Sequence, residues 1–131
     1  MNKSVFISTL GCSKNLVDSA VMLNILLVNG LQKVDSPQLA DIAVINTCGF
    51  IESAKEESIN EILEIAKYKQ SGKLKHLIVT GCLSQRYSEE LKKELPEVDS
   101  FLGTTSFEHI YNIIQGLELG ENNSLILDIN H

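Results

Sequence analysis

Residues 41–53 read DIAVINTCGFIES. Asp41 to Asn46 is a short, nearly continuous apolar run, which suits a strand buried on both faces. Cys48 and Gly49 follow at once. Ser53, with Glu56 three residues on, forms a capping-box pattern at the start of a helix. The segment thus hands a buried strand to a helix through a Cys-Gly pair. Two further segments repeat the arrangement, TLGCSKNLVDS at residues 9–19 and VTGCLSQRY at residues 79–87. Each of the three cysteines in the chain, Cys12, Cys48 and Cys82, therefore sits where a strand gives way to a helix. Gly11, Gly49 or Gly81 lies beside it.

The flanking sequence extends the pattern. Val5 to Leu10 reads as a strand, and a helix follows from Asn15 to Asn29. Leu16, Ala20, Leu23 and Leu27 keep one face by the three-or-four spacing, and Asn29-Gly30 stops the helix. Leu31 to Val34 is a weak strand. Ser36-Pro37 opens a turn and one helical turn through Ala40. The helix after Ser53 runs to Gln70, with Ile59, Ile62, Leu63 and Ala66 inward. His76 to Thr80 is the next strand. An exposed helix from Ser88 to Glu94 sets Glu89 and Glu90 against Lys92 and Lys93, and Pro96 stops it. Val98 to Leu102 is the last short strand. Ser106 then caps a helix carrying Phe107, Ile110, Ile114 and Leu117. Beyond Gly116 the chain is polar, with Leu125 to Ile129 a strand or a connection. Strands alternating with helices predict parallel pairing through right-handed crossovers. The expected fold class is α/β, a three-layer sandwich on a mainly parallel sheet of flavodoxin-like order 2-1-3-4-5, occupying residues 1–117.

Composition bounds the function. At 131 residues, 44% hydrophobic and 21% charged, the chain can bury one core, an aliphatic one since tryptophan is absent. Eleven basic and 17 acidic residues leave a net charge of −6, which argues against direct nucleic-acid binding through a basic face. The first ten residues lack the apolar region of a signal peptide. No run of about 20 apolar residues could span a membrane. A cytoplasmic protein is expected. An odd number of cysteines fits a secreted disulfide framework poorly and a metal or chemical site better.

The intervals from residue 12 to 48 and from 48 to 82 are 36 and 34 residues, and no CxxC motif occurs. The fold carries the argument instead. In a parallel sheet every strand-to-helix loop leaves from the same edge. In the expected order the strands before Cys12, Cys48 and Cys82 are neighbours, with the outer two about 10 Å apart. Three sulfurs can then surround one small object at the edge where such sheets bind ligands. Neighbouring glycines permit positive φ and close backbone approach, and helix N-termini favour an anionic guest. A lone cysteine is usually a small buried hydrophobe; three sharing strand end, sheet edge and adjacent glycine argue for a common site. Structural zinc normally takes four protein ligands. His76 lies at the far end of its strand, His109 within a helix and His131 at the terminus, so none is an obvious fourth. A 4Fe–4S cluster with one iron open suits the donor set. A flavin- or nucleotide-binding module is the alternative, although neither G-x-G-x-x-G nor a Walker sequence is present.

Leu10–Ser19 (LGCSKNLVDS), Asn46–Ile59 (NTCGFIESAKEESI), Gly81–Leu91 (GCLSQRYSEEL) and Pro96–Asp99 (PEVD) resemble the N-terminal domain of the methylthiotransferases. These form a branch of the radical S-adenosylmethionine enzymes. The likeness spans residues 3–117. It is nearest to the members that modify an aspartate of a small-subunit ribosomal protein, with the tRNA-modifying members as the alternative. The resemblance implies that Cys12, Cys48 and Cys82 hold an auxiliary 4Fe–4S cluster whose open iron presents sulfur. It implies a radical S-adenosylmethionine domain with its own 4Fe–4S cluster, toward which residues 118–131 would connect. By itself the present domain is expected to be inactive. Ala20 departs from the family, where glutamate is common.

Other residues carry weaker signals. Arg86, the only arginine, suits anion recognition or an ordinary helix-start ion pair. Asn15 and Asn46 suit hydrogen bonds to loop backbone. With Gly49 and Arg86 they are candidates to flank the sulfur ligands. Lys14 could offset thiolate charge or simply be solvated. Asp18 is expected in the first turn of its helix, favourable to the dipole. Glu56 and Glu57 read as a capping residue and a solvated neighbour.

Overall fold

A computed structural model describes residues 3–10, 13–47, 52–81, 91–102 and 109–118. Five strands form one parallel sheet: β1 (Ser4–Thr9), β2 (Gln32–Lys33), β3 (Ile42–Thr47), β4 (His76–Gly81) and β5 (Ser100–Leu102), in the order β2-β1-β3-β4-β5. The helices are α1 (Ser13–Val28), α2 (Glu52–Ala66), α3 (Tyr68–Ser71) and α4 (Ile110–Glu118), with a 3-10 turn at Pro37–Leu39. Residues 91–94 are also helical. The expected order and the parallel pairing are both present.

Alternation along the central strands makes the sandwich. Ile42 and Val44 face one side of β3; Ala43 and Ile45 face the other. The first side packs Met22 and Leu26 of α1 and Ile110, Ile113, Ile114 and Leu117 of α4. The second packs Ile62 and Ile65 of α2 with Leu91, Leu95 and Phe101. All six β3 residues are buried, as a strand covered on both faces should be.

Local chemistry ends the elements. After α1, Gly30 adopts φ +95, Leu31 N–H donates to Leu26 O at 3.0 Å and Gly30 N–H to Leu27 O at 3.1 Å. This pair of bonds is a Schellman stop, as Asn29-Gly30 predicts. Ser36 accepts from Gln38 N–H at 3.3 Å ahead of Pro37. At the N-terminal edge of the sheet, Ser4 N–H and Oγ–H both donate to Asp41 Oδ2 at 3.1 Å. Leu77 N–H donates to Asp99 Oδ2 at 2.8 Å, and Lys69 Nζ lies 2.6 Å from the same oxygen.

Four expectations are corrected. The buried stripe of α1 is Asn15, Ser19, Met22 and Leu26; Leu16, Ala20 and Leu27 face outward. The stripe is rotated because the first turns of the helix lie over polar strand ends, which take Asn15 and Ser19. On α2 the buried positions are Ser58, Ile62, Ile65 and Ala66, with Leu63 exposed. That helix starts at Glu52 and ends at Ala66, so Ser53 lies inside it and not at its cap, and the turn to Ser71 is separate. Asp18 falls in the second turn of α1, since the helix starts at Ser13 and has no acid in its first turn. Ser106, Phe107, residues 88–90 and 125–129 lie outside the described residues.

Candidate functional site

The three central strands turn polar as they reach their C-terminal ends: Ser8-Thr9 on β1, Asn46-Thr47 on β3 and Thr80 on β4. Register brings these ends side by side, with Thr9 opposite Asn46, Asn46 opposite Thr80 and Thr47 opposite Gly81. Polar atoms at such an edge are buried beneath the helix starts and must find partners within the protein.

Asn46 is central to the network and fully buried. Its Nδ2 donates to Asn15 O at 3.0 Å and to Ser19 Oγ at 3.1 Å. Ser19 Oγ lies 2.7 Å from Thr9 Oγ1. Asn15 Nδ2 donates in return to Leu10 O at 2.5 Å and to Thr47 O at 3.0 Å. Leu10 N–H donates to Asn46 O at 2.9 Å, and Thr47 Oγ1–H to Thr80 O at 2.7 Å. One continuous set of bonds therefore joins the ends of β1, β3 and β4 to the first turns of α1. Asn46 Oδ1 is buried and has no hydrogen-bond partner among the described residues.

Gly81 closes this edge. It adopts φ +98, and a Cβ there would stand 2.7 Å from Asn46 Oδ1 and 2.8 Å from Thr47 N. Only glycine permits that approach at that backbone conformation. The end of β4 is thereby drawn against the end of β3.

Cys12, Cys48, Cys82, Gly11, Gly49 and Arg86 lie outside the described residues, as does the side chain of Lys14. The described residues fix the positions from which the cysteines depart. Cys48 directly follows Thr47, Cys82 directly follows Gly81, and Cys12 comes three residues after Thr9. Thr47 and Gly81 are register partners on strands about 4.8 Å apart. The donor set fits an iron–sulfur cluster: three thiols, the usual cluster ligands, lead from three adjacent strand ends. Among the described residues no group of three His, Cys, Asp or Glu side chains could hold a metal ion.

Beside Leu10 an open groove of about 560 Å³ runs along α2, lined by Glu56, Glu57, Asn60, Glu61 and Glu64. Glu61 accepts a hydrogen bond from Ser8 Oγ at 2.5 Å. Glu56, expected as a capping residue, is the fifth residue of α2, and with Glu57 it lines this groove.

The histidines stand elsewhere. His76 opens β4 at the opposite edge of the sheet, its Nε2 3.0 Å from Glu118 Oε2. Lys3 Nζ lies 3.1 Å from the other oxygen of that carboxyl. Burial pushes the Glu118 carboxyl up, but hydrogen bonds and charge from His76 and Lys3 outweigh it and leave it below its ordinary value. His109 is half-buried just before α4, and His131 is outside the described residues.

Sequence reasoning missed Thr9, Ser19, Thr47 and Thr80 as parts of this edge. The signal that could have found Thr9, Thr47 and Thr80 is the switch from apolar to polar at the end of each central strand; Ser19, on α1, carries no such signal.

These features define an α/β domain in which each of three neighbouring strands is followed in the sequence, within three residues, by a cysteine. Residues 4–103 match the model of the family described as Uncharacterized protein family UPF0004, and the chain belongs to that family. It is 52% identical over 127 residues to the ribosomal protein uS12 methylthiotransferase RimO of Lachnoclostridium phytofermentans, covering 97% of this chain and 29% of that relative. RimO of Clostridioides difficile is 52% identical over 113 residues, covering 86% and 26%. RimO of Anaeromyxobacter sp. strain Fw109-5 is 56% identical over 110 residues, covering 84% and 23%. The chain thus spans about a quarter of the length of these curated relatives. No helix among the described residues is long and apolar enough to cross a membrane.

Proposed function

We propose that this chain is the auxiliary cluster-binding domain of a RimO-type methylthiotransferase. In this reading Cys12, Cys48 and Cys82 hold a 4Fe–4S cluster with one iron free of protein ligands. The whole enzyme adds a methylthio group to an aspartate of ribosomal protein uS12. The observation that carries the reading is the convergence of β1, β3 and β4 at one edge, each leading within three residues to a cysteine.

The cluster, when bound, would supply sulfur at its open iron. The chain's own residues have the task of holding its ligands in place. Asn46 and Asn15 pin the ends of β1 and β3 to α1, and Gly81 lets β4 close in. Ligands that follow closely on well-held strand ends would be better fixed than ligands far along a free loop. Gly49 and Arg86 would flank the sulfurs. S-adenosylmethionine and a second 4Fe–4S cluster would belong to the remaining length of the enzyme, toward which the segment after Glu118, the last residue of α4, would connect. The acidic groove along α2 supports a protein substrate over a tRNA: its carboxylates repel phosphate and attract the basic segments of a ribosomal protein. A ribosomal substrate would be met in the cytoplasm, which supports a cytoplasmic enzyme.

Anaerobic reconstitution with iron and sulfide tests the cluster. About four irons and four sulfides per chain are expected, with one iron distinct by Mössbauer spectroscopy. None should bind to the Cys12→Ala, Cys48→Ala, Cys82→Ala triple variant. A Cys48→Ala protein that still binds a full complement would overturn the ligand assignment, and stoichiometric zinc in a colourless, air-stable protein would overturn the cluster.

A further inference from the structure

The outward side of α1 is unlike a solvated helix surface. Leu16, Val17, Val21, Leu27 and Val28 are exposed by 61%, 63%, 48%, 44% and 76%. Ala20 and Asn24 are exposed between them. Successive positions on a helix are 100° apart, so these seven residues fall on one continuous side, opposite the Asn15, Ser19, Met22 and Leu26 stripe. Lys14 and Asp18 are the only charges from Ser13 to Val28. A surface helix ordinarily carries charge on the side away from its core. A contiguous apolar patch on a protein rich in acidic residues marks an interaction surface.

We infer that this face of α1 is the seat of the remaining polypeptide of the longer enzyme, which presents to it an uncharged apolar surface. The inference rests on the proposed reading of this chain as one domain of that enzyme. The relatives are about four times the length of the matched region, so a covalently attached partner is at hand. Tethering gives such a partner an effective concentration in the millimolar range, which favours it over a second copy of this chain. A membrane surface would call for Lys and Arg along the flanks of the helix; α1 offers Lys14 alone, in a chain of net charge −6. Position also favours this seat. Ser13, the first residue of α1, directly follows Cys12, and Leu16 and Val17 lie within the first turns after it. A partner seated there is brought beside the cysteine edge. The same contact explains why Leu16, Ala20 and Leu27, three of the four apolar positions legible in the sequence, do not pack on the sheet, whereas Leu23 is half-buried against the core. Helix α1 carries two apolar sides, one for the core and one for its neighbour.

Cysteine accessibility tests this. Val21→Cys is placed in the 131-residue chain and in a chimera joining that chain to the remaining length of the Lachnoclostridium phytofermentans relative. Both are treated anaerobically with N-ethylmaleimide, and the modified peptide is followed by mass spectrometry. The expected result is fast labelling in the isolated chain and protection of about tenfold or more in the chimera. Equal rates in the two would overturn the inference. Protection in the isolated chain that disappears on dilution would overturn it in favour of a second copy. Iron and sulfide content is measured on the same samples. A loaded chimera with residue 21 open fails the docking inference alone, and an unloaded chimera with residue 21 protected fails the cluster reading alone.

Discussion

A Cβ at Gly81 would stand 2.7 Å from Oδ1 of Asn46, so the end of β4 can lie against the end of β3 only because residue 81 has no side chain. Gly30 offers an internal control. It too has positive φ, +95, but nothing lies within 4 Å of its Cβ position. Gly30→Ala should cost about 1 kcal/mol, the price of the left-handed backbone for alanine. Gly81→Ala adds contact with Thr47 backbone and should cost about 3 kcal/mol. Urea unfolding of the two variants checks this, and equal losses would show that the close approach does not constrain the fold.

Asn46→Asp should be destabilising and pH-dependent. The Nδ2 donor to Asn15 O and Ser19 Oγ becomes a carboxylate oxygen, and a charge is placed at a fully buried position. Burial disfavours the charged form and raises the folded-state pKa of the new acid. The variant should approach wild type below the unfolded value of about 4 and lose stability as pH rises through the higher folded value. Near neutral pH the loss should reach about 3 kcal/mol. Asn46→Ala, with no titrating group, should show a smaller loss without that added pH dependence. Parallel urea titrations of both variants at pH 5 and pH 8 separate the two effects.

The topology was legible because it rests on short apolar strands, and DIAVIN, HLIVT and the run before Gly11 have few other readings. The rotation of the helices was not legible. Leu16 and Leu63 are as hydrophobic as Leu26 and Ile62, and periodicity cannot tell a core-facing stripe from one facing outward. Asn15 and Ser19 hid the true stripe of α1, because polar residues at inward positions betray themselves only once Asn46 and Thr9 are seen to receive them. The cysteines could be read as a set from the strand order. The polar edge that supports them could not, because most of its bonds join residues about 30 apart in the chain, as Asn46 Nδ2 to Asn15 O does.

Paired truncations on α2 test the rotation directly. Ile62 is fully buried, whereas Leu63, one position on, is 43% exposed. Ile62→Ala should cost about 3 kcal/mol through lost burial and the cavity left behind. Leu63→Ala should cost under about 1 kcal/mol, since alanine is also the better helix former. Chemical denaturation of the two proteins measures both, and the reverse ranking would restore the stripe expected from periodicity.

At the opposite edge of the sheet, acid should act through Asp41 and Glu118. Burial pushes the Asp41 carboxyl up, but hydrogen bonds from the Ser4 backbone and side chain, with the charges of Lys73 and Lys3, hold it below its ordinary 3.8. Glu118 lies below its ordinary 4.5 through His76 and Lys3. Groups with lowered folded pKa values stabilise the fold above their unfolded values, and that stability is lost as pH falls through the folded ones. Unfolding free energy should therefore hold as pH is lowered toward 4.5 and decline below it, first with Glu118 and then with Asp41. Asp41→Asn should be less stable than wild type at pH 6, because it gives up the charge that faces Lys73 and Lys3. Its deficit should narrow as pH falls below 3.8, where the wild-type carboxyl is itself being protonated. Urea unfolding of both proteins between pH 3 and pH 6 measures the gap, and a deficit that stays constant over that range would show that the Asp41 charge contributes nothing.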